Sequence, residues 1–325
     1  MIARGFNRCL GLPTGFALLL WVLFPSVGAS QFRPKEQTKG PELGELVTQR
    51  WQAGVIVRAA GGPCTGILAT VPLPVDWREQ QVTMLEEDFS PGVKVSYQMV
   101  EGTVKLMVVE IAHLGFREEA KALITHEVRR HKLLPPKDSA SFLWPEKRKL
   151  PRDVLPYLGP SPFIESNSPK IQAAARQVIS EPPSAWQKVE AIYDWVREKI
   201  RYEDGPQKGA LAALNDGTGD CEEMTALFIA MCRAVGVPAR TVWVPGHAYA
   251  EFYLIDGEGD GYWFPCQLSG AREFGGISEN RPILQKGDNF RSLVDRRERK
   301  RYLAETLRGE GGRPEVEFVR RLLPQ

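Results

Sequence analysis

The run GDCEEMTALFIAMCRAVGVPAR (219–240), followed by GHAYAEFY (246–253) and GYWFPCQ (261–267), decides how this chain is read. CEEMTALFIAMCRAVG has the apolar density of a largely buried helix and is stopped by Gly236 and Pro238. RTVWVP, HAYAEFYLID and GYWFPCQ read as strands, the last two joined by a hairpin-like turn at DGEGDG. Working upstream, SAWQKVEAIYDWVREKIRY puts Val189, Ile192, Tyr193, Val196 and Ile200 on one helical face, with Ser184 as N-cap after Pro182-Pro183. IQAAARQVIS predicts a shorter helix before it, and EDGPQKGALAALNDGTGD, just ahead of Cys221, reads as a turn-rich stretch.

Cys221 follows Asn-Asp-Gly-Thr-Gly-Asp and opens its helix. A cysteine there sits at the positive end of the helix dipole among unpaired backbone N–H groups, and both favour the thiolate, the form that attacks a carbonyl. Gly217 and Gly219 let the chain turn tightly before it. Glu222 and Glu223 suit a helix start but oppose a thiolate, so a nearby imidazolium has to outweigh them. His247 is the candidate. It stands at the mouth of a strand, twenty-six positions after Cys221, which is helix, turn, strand and turn. A cysteine and a histidine can share a proton as a nucleophile and its base. On the next strand, Gln267 is the candidate for the third group, because an amide can hold an imidazole tautomer.

These four motifs, in this order, resemble the core of the transglutaminase-like superfamily. That family reads as a Gly-x-Cys helix, a Gly-x-Pro-Ala-Arg turn into a strand, a His-Ala-Trp-x-Glu strand and a Trp-x-Pro-x-Asp strand. The resemblance covers about residues 170–270. It implies an α+β, papain-like core in which a cysteine-bearing helix packs on an antiparallel sheet, with Cys221 as nucleophile, His247 as base and the Gln267 position as third member. It implies no metal or other cofactor. The chain departs from the pattern at Tyr249, where the family has Trp, and at Gln267, where it has Asp. An amide cannot stabilise a developing imidazolium by charge. Asp256 and Asp260 lie in the hairpin turn and are poor substitutes. Glu251 is either a substrate-binding group or a structurally paired carboxylate.

Outside this core, GVIVRAA, CTGILATVPLPV, QVTMLEED, VKVSYQMV and TVKLMVVEIA are short runs with alternation and β-branched residues. Alternation in Ala120–His131 favours a strand there as well. Regular short strands predict a β-sandwich-like domain over 45–140, followed by a Pro-rich linker over 141–168 anchored by Trp144 and Tyr157, and the transglutaminase-like domain over 169–325. The polar stretch 31–50 reads as a loose lead-in, the basic tail RSLVDRRERKRYLAETLRG as a solvated helix face, and VEFVRRLL as a strand. Over 1–30, Arg4 and Arg8, then the apolar run Phe16–Phe24, then PSVGAS form the three parts of a secretory signal peptide cut near Ala29 or Ser30. An uncleaved anchor is the alternative. Cys9 precedes the apolar run, which argues against a lipoprotein.

Of 325 residues, 43% are hydrophobic and 25% charged, ordinary for a globular protein, and the formal net charge of +2 gives no field for nucleic acid. Cys64, Cys221, Cys232 and Cys266 are too irregularly spaced for a disulfide scaffold; Cys232 and Cys266 read as core. There is no Cys-x-x-Cys, and His126 and His131 are five apart, so no zinc site is expected. His113 is expected, like them, on the β domain. The sequence thus predicts an exported thiol acyl-transfer enzyme, a cysteine peptidase or amidase taking a peptide or amide substrate, with no stable membrane insertion once the signal is cleaved. Two alternatives stay open: a catalytically impaired binding module that keeps the fold, and a protein-crosslinking transglutaminase.

Overall fold

In the computed structural model, residues 40–293, 295 and 297–324 are described; the expected signal peptide over 1–30 lies outside them. Six strands come first: β1 (Glu42–Arg58), β2 (Cys64–Leu73), β3 (Gln80–Phe89), β4 (Val93–Val100), β5 (Val104–Leu114) and β6 (Glu119–Leu134). Their alternation turns one face of each sheet inward, so Val55, Val57, Ile67, Ala69, Val109, Ile111, Ala122 and Ile124 meet in one buried apolar cluster. β1 begins at Glu42, inside the stretch expected to be loose.

Four helices follow: α1 (Pro169–Val178), α2 (Ala185–Lys199), α3 (Ala210–Asp216) and α4 (Cys221–Ala234). Ser184 caps α2 by accepting from Gln187 N at 3.2 Å. α3 falls in the stretch read as turns, where its seven residues between Gly209 and Gly217 are too few to show a period. Then come β7 (Ala239–Val244), β8 (His247–Ile255) and β9 (Gly261–Gln267), an antiparallel sheet edged by the short strands Glu273–Phe274 and Gln285–Lys286. α4 is buried along almost its whole length against this sheet and the other helices. Phe252, Phe264 and Phe274 of the sheet surround Trp186 of α2 with ring centroids 5.1–5.7 Å away. This is an α+β fold.

The tail differs from expectation. Residues 306–323, grouped by sequence with the second domain, form β10 (Thr306–Gly311) and β11 (Glu315–Leu323), which pair with β2 and β1 of the sandwich. The sandwich is therefore two four-stranded sheets, ordered β11-β1-β6-β3 and β10-β2-β5-β4, and the chain leaves it and returns. The basic tail is not a helix: its described residues between Phe290 and Gly311 form short strands and turns. The 141–168 segment packs closely, with Leu143 bridged to Ile255 and Trp144 Nε1 donating to Val235 O at 3.2 Å.

Sandwich and core are joined through buried charge. Lys286 Nζ lies 2.6 Å from Glu79 of the sandwich side and 2.6 Å from Glu251 of β8, and Glu251 also accepts from Arg240 at 2.7 Å. Burial alone would raise the Glu251 carboxyl, but Lys286 and Arg240 outweigh it and hold it at about 2. Beside this group, Gln80 exchanges two hydrogen bonds with the backbone of Ile283, at 3.0 and 2.7 Å.

Removing Lys286 strands the buried Glu79 carboxylate and leaves Glu251 to Arg240 alone. Lys286→Ala is expected to lower stability by about 3–5 kcal/mol in chemical denaturation at neutral pH. A folded-state value below the unfolded one contributes stability that is present above the unfolded value and lost as pH falls. The native chain should thus lose stability as pH drops from 4.5 towards 2, and Glu251→Gln should flatten that part of the profile. An unchanged acid limb in Glu251→Gln would contradict this assignment.

Candidate active site

α4 starts at Cys221 because Asp220 and Glu223 close a reciprocal capping box. The Asp220 carboxylate accepts from Glu222 N at 2.7 Å and Glu223 N at 3.3 Å, and Glu223 accepts from Asp220 N at 3.2 Å. The box engages these three N–H groups but not that of Cys221. Ahead of it, Gly217 ends α3 in the left-handed region at φ 70°, and a Cβ on Gly219 would lie 2.7 Å from Glu223 Cβ. The strand Arg201–Tyr202 runs parallel to Thr218–Gly219, and Glu203 N donates to Gly219 O at 3.0 Å, which fixes the approach to Cys221.

β8 returns along α4. Thr225 Oγ1 donates to Ala248 O at 3.4 Å, and the Ala248 N–H is directed at the Cys221 sulfur. His247, the residue before Ala248, therefore begins its strand beside the start of α4. Ala250 pairs with Cys266 across β8 and β9, which sets Gln267 diagonal to His247. His247 Nε2 and Gln267 Oε1 are 2.9 Å apart. Because Oε1 only accepts, Nε2 carries the ring proton and Nδ1 is left as the basic nitrogen. Helix α2 holds the end of β9: Tyr193 OH donates to Gln267 O at 2.8 Å, and Arg197 donates to Gln267 O, Leu268 O and Gly270 O at 3.2, 2.9 and 2.8 Å.

The three residues singled out by sequence thus gather at one end of α4 and of the β8–β9 hairpin. Cys232 and Cys266 are buried in the core, and Glu251 belongs to the buried charge group rather than to this site. Asp256, Glu258 and Asp260, the only cluster among the described residues that could hold a cation, lie in the turn at the far end of the hairpin. Asp256 there already accepts from Glu258 N and Asp260 N, at 2.8 and 3.0 Å.

The Cys221 thiol differs from the expected low-affinity proton site. Burial is the largest influence and pushes it up, and Asp220 and Glu223 add to this; the N–H groups of Ala248 and Cys221 pull the other way without prevailing. Glu223 is itself pushed up to about 7, first by burial and then by its contact with Asp220. Two cations interact with the Cys221 charge, Arg281 and Arg301. Sequence reasoning missed both, and it missed Tyr193 and Arg197. Arg301 ends a run of seven consecutive charged residues, 295–301, so nothing local marked it as buried.

Residues 172–268 match the model of the transglutaminase-like superfamily. No curated protein matches the chain. Among solved structures, a candidate cysteine protease from Cytophaga hutchinsonii is similar at a TM-score of 0.60 and 18% identity, covering 88% of this chain and 93% of its own. A candidate protease from Parabacteroides distasonis is 13% identical with a TM-score of 0.30, covering 71% of this chain and 44% of its own. The first likeness runs over both the sandwich and the transglutaminase-like core, so the fold described above extends well beyond the matched family segment.

Because burial and two carboxylates hold the proton on Cys221, its alkylation by iodoacetamide should titrate above the ordinary thiol value of about 8.5. Peptide mapping of the carbamidomethylated protein across a pH series measures this. A midpoint near 7 or below would mean that His247 overrides these charges at rest.

Proposed function

We propose that the chain is an exported cysteine hydrolase, a peptidase or amidase acting through a thioester on Cys221. The observation that carries this reading is the 2.9 Å hydrogen bond from His247 Nε2 to Gln267 Oε1 at the start of the Cys221 helix. It gives the ring the tautomer that a general base needs. In this reading His247 Nδ1 takes the Cys221 proton as sulfur attacks the carbonyl carbon of a peptide or amide. The oxyanion is met by the Cys221 N–H, which the capping box leaves over. The imidazolium returns the proton to the departing amine, and a thioester remains. Water, deprotonated by His247, then adds to the thioester, and the thiol and a carboxylic acid are released. The residues of the site account for these steps as an acid–base and nucleophile set.

Gln267 fills the role that asparagine fills in other cysteine proteases. Gln267→Ala should lower kcat/KM on any turned-over amide or ester, by less than the roughly 10⁴-fold seen when a charged partner's loss leaves the wrong tautomer. Gln267→Asp should keep or raise the rate, since a carboxylate both orients the ring and stabilises the imidazolium. Cys221→Ala should abolish turnover. Unchanged rates in Gln267→Ala would remove it from the site. No turnover on a broad amide and ester panel would favour the binding-module reading, and amine incorporation exceeding hydrolysis would favour crosslinking. Export is tested separately: mature protein should begin near Ser30 or Gln31, and exported protein still starting at Met1 would count against cleavage.

A further inference from the structure

One residue of the basic tail turns inward. Arg301 is only 7% exposed. Its guanidinium is ion-paired with Glu222, the residue after Cys221, and faces the Gln207 side-chain amide. It lies over the rings of Phe163 and Trp243, 4.9 and 5.5 Å from their centroids. Burial lowers its proton affinity only to about 10, so it is charged at neutral pH. Arg301 also lies outside residues 172–268, the segment matched to the superfamily.

A buried cation here has a specific electrostatic consequence. The start of α4 brings Asp220, Glu222 and Glu223 around Cys221, and a thiolate would add another negative charge. From other elements, His247 comes from β8, Tyr202 from the strand beside Thr218–Gly219, Arg281 from the segment before Gln285, and Arg301 from the tail. Arg281 is engaged by Glu279 and donates to Pro245 O at 3.1 Å. Arg301 is the cation that grips the first turn of α4 itself. Its position cancels Glu222 and leaves its field on Asp220 and the sulfur.

We propose that Arg301 is a positioning residue for Cys221: by neutralising Glu222 at the helix start it lowers the free energy of the thiolate that attacks substrate. The proposal rests on Cys221 being the nucleophile of the reading above, but thiol titration tests it without turnover. The two readings can thus fail separately.

The experiment is the pH profile of Cys221 alkylation by iodoacetamide in the full chain, followed by peptide mapping, for the native protein and four variants. Cys64, Cys232 and Cys266 are buried and separated by the mapping. Arg301→Gln should raise the midpoint by about one pH unit, the lower end of what an opposite charge at short range produces. Arg301→Lys, which keeps the charge, should recover most of that shift. Glu222→Gln alone should lower the midpoint, and Arg301→Gln combined with Glu222→Gln should lie closer to native than Arg301→Gln does. An unmoved midpoint in a folded Arg301→Gln, no recovery in Arg301→Lys, or a double variant shifted as far as the single would each overturn the proposal. If Arg301→Gln fails to fold, Glu222→Gln decides: a midpoint at or above native overturns it. Altered alkylation with no turnover on any amide or ester would uphold the role of Arg301 and remove the hydrolase.

Discussion

A buried ammonium has to be matched by carboxylates, and Lys286 is matched from both halves of the molecule. Glu79 reaches it from the loop after β2 and Glu251 from β8, each at 2.6 Å. Two residues on, Asp288 makes a second buried pair with Arg233 of α4 at 2.7 Å and accepts from Thr241 N at 3.2 Å. Breaking either pair would leave an uncompensated charge in the interior, so the segment between Ile283 and Asp288 has little freedom. That segment is the hinge of the whole layout. It fastens the edge of the core sheet to the sandwich, and from it the chain passes the start of α4 before rejoining β2 and β1.

The parts legible in the sequence are those whose partners lie close along the chain. A helix with Val189, Ile192, Tyr193 and Val196 on one face, a cap residue followed by a glutamate three positions on, and two strands around a glycine-rich turn all carry their own instructions. Cys221, His247 and Gln267 were proposed as a site from such local features, and helix start, strand direction and hairpin register bring the three to one end of α4. The inner strands of the sandwich were legible for the same reason. Long-range pairings left no such mark. Arg301 meets Glu222 from 79 positions away, and Arg197 reaches the end of β9 across 70. Both are arginines in polar surroundings, which a local reading assigns to solvent. The strand Thr306–Gly311 was missed because its exposed edge is rich in glycine and charge, with burial set by β2 rather than by its own alternation.

The local device that places Cys221 also opposes its ionisation. A capping box needs carboxylates at the helix start, and here they are Asp220 and Glu223, the same groups that push the Cys221 thiol up. Moving them would loosen the turn that presents the cysteine. What opposes that charge is Arg301, which pairs with Glu222 and acts on Asp220 and the sulfur, and the N–H groups of Ala248 and Cys221.

This bears on why a neutral amide stands at position 267. A carboxylate in that place would favour a standing thiolate–imidazolium pair by charge. Gln267 fixes only the ring's tautomer, with Tyr193 and Arg197 holding its own backbone in place. A thiol held in its protonated form needs a base with a lone pair ready, and a ring whose proton is already committed to an acceptor on Nε2 offers one on Nδ1. Under the proposed function, the capping carboxylates and the amide fit one arrangement, in which the proton leaves sulfur during attack rather than before it.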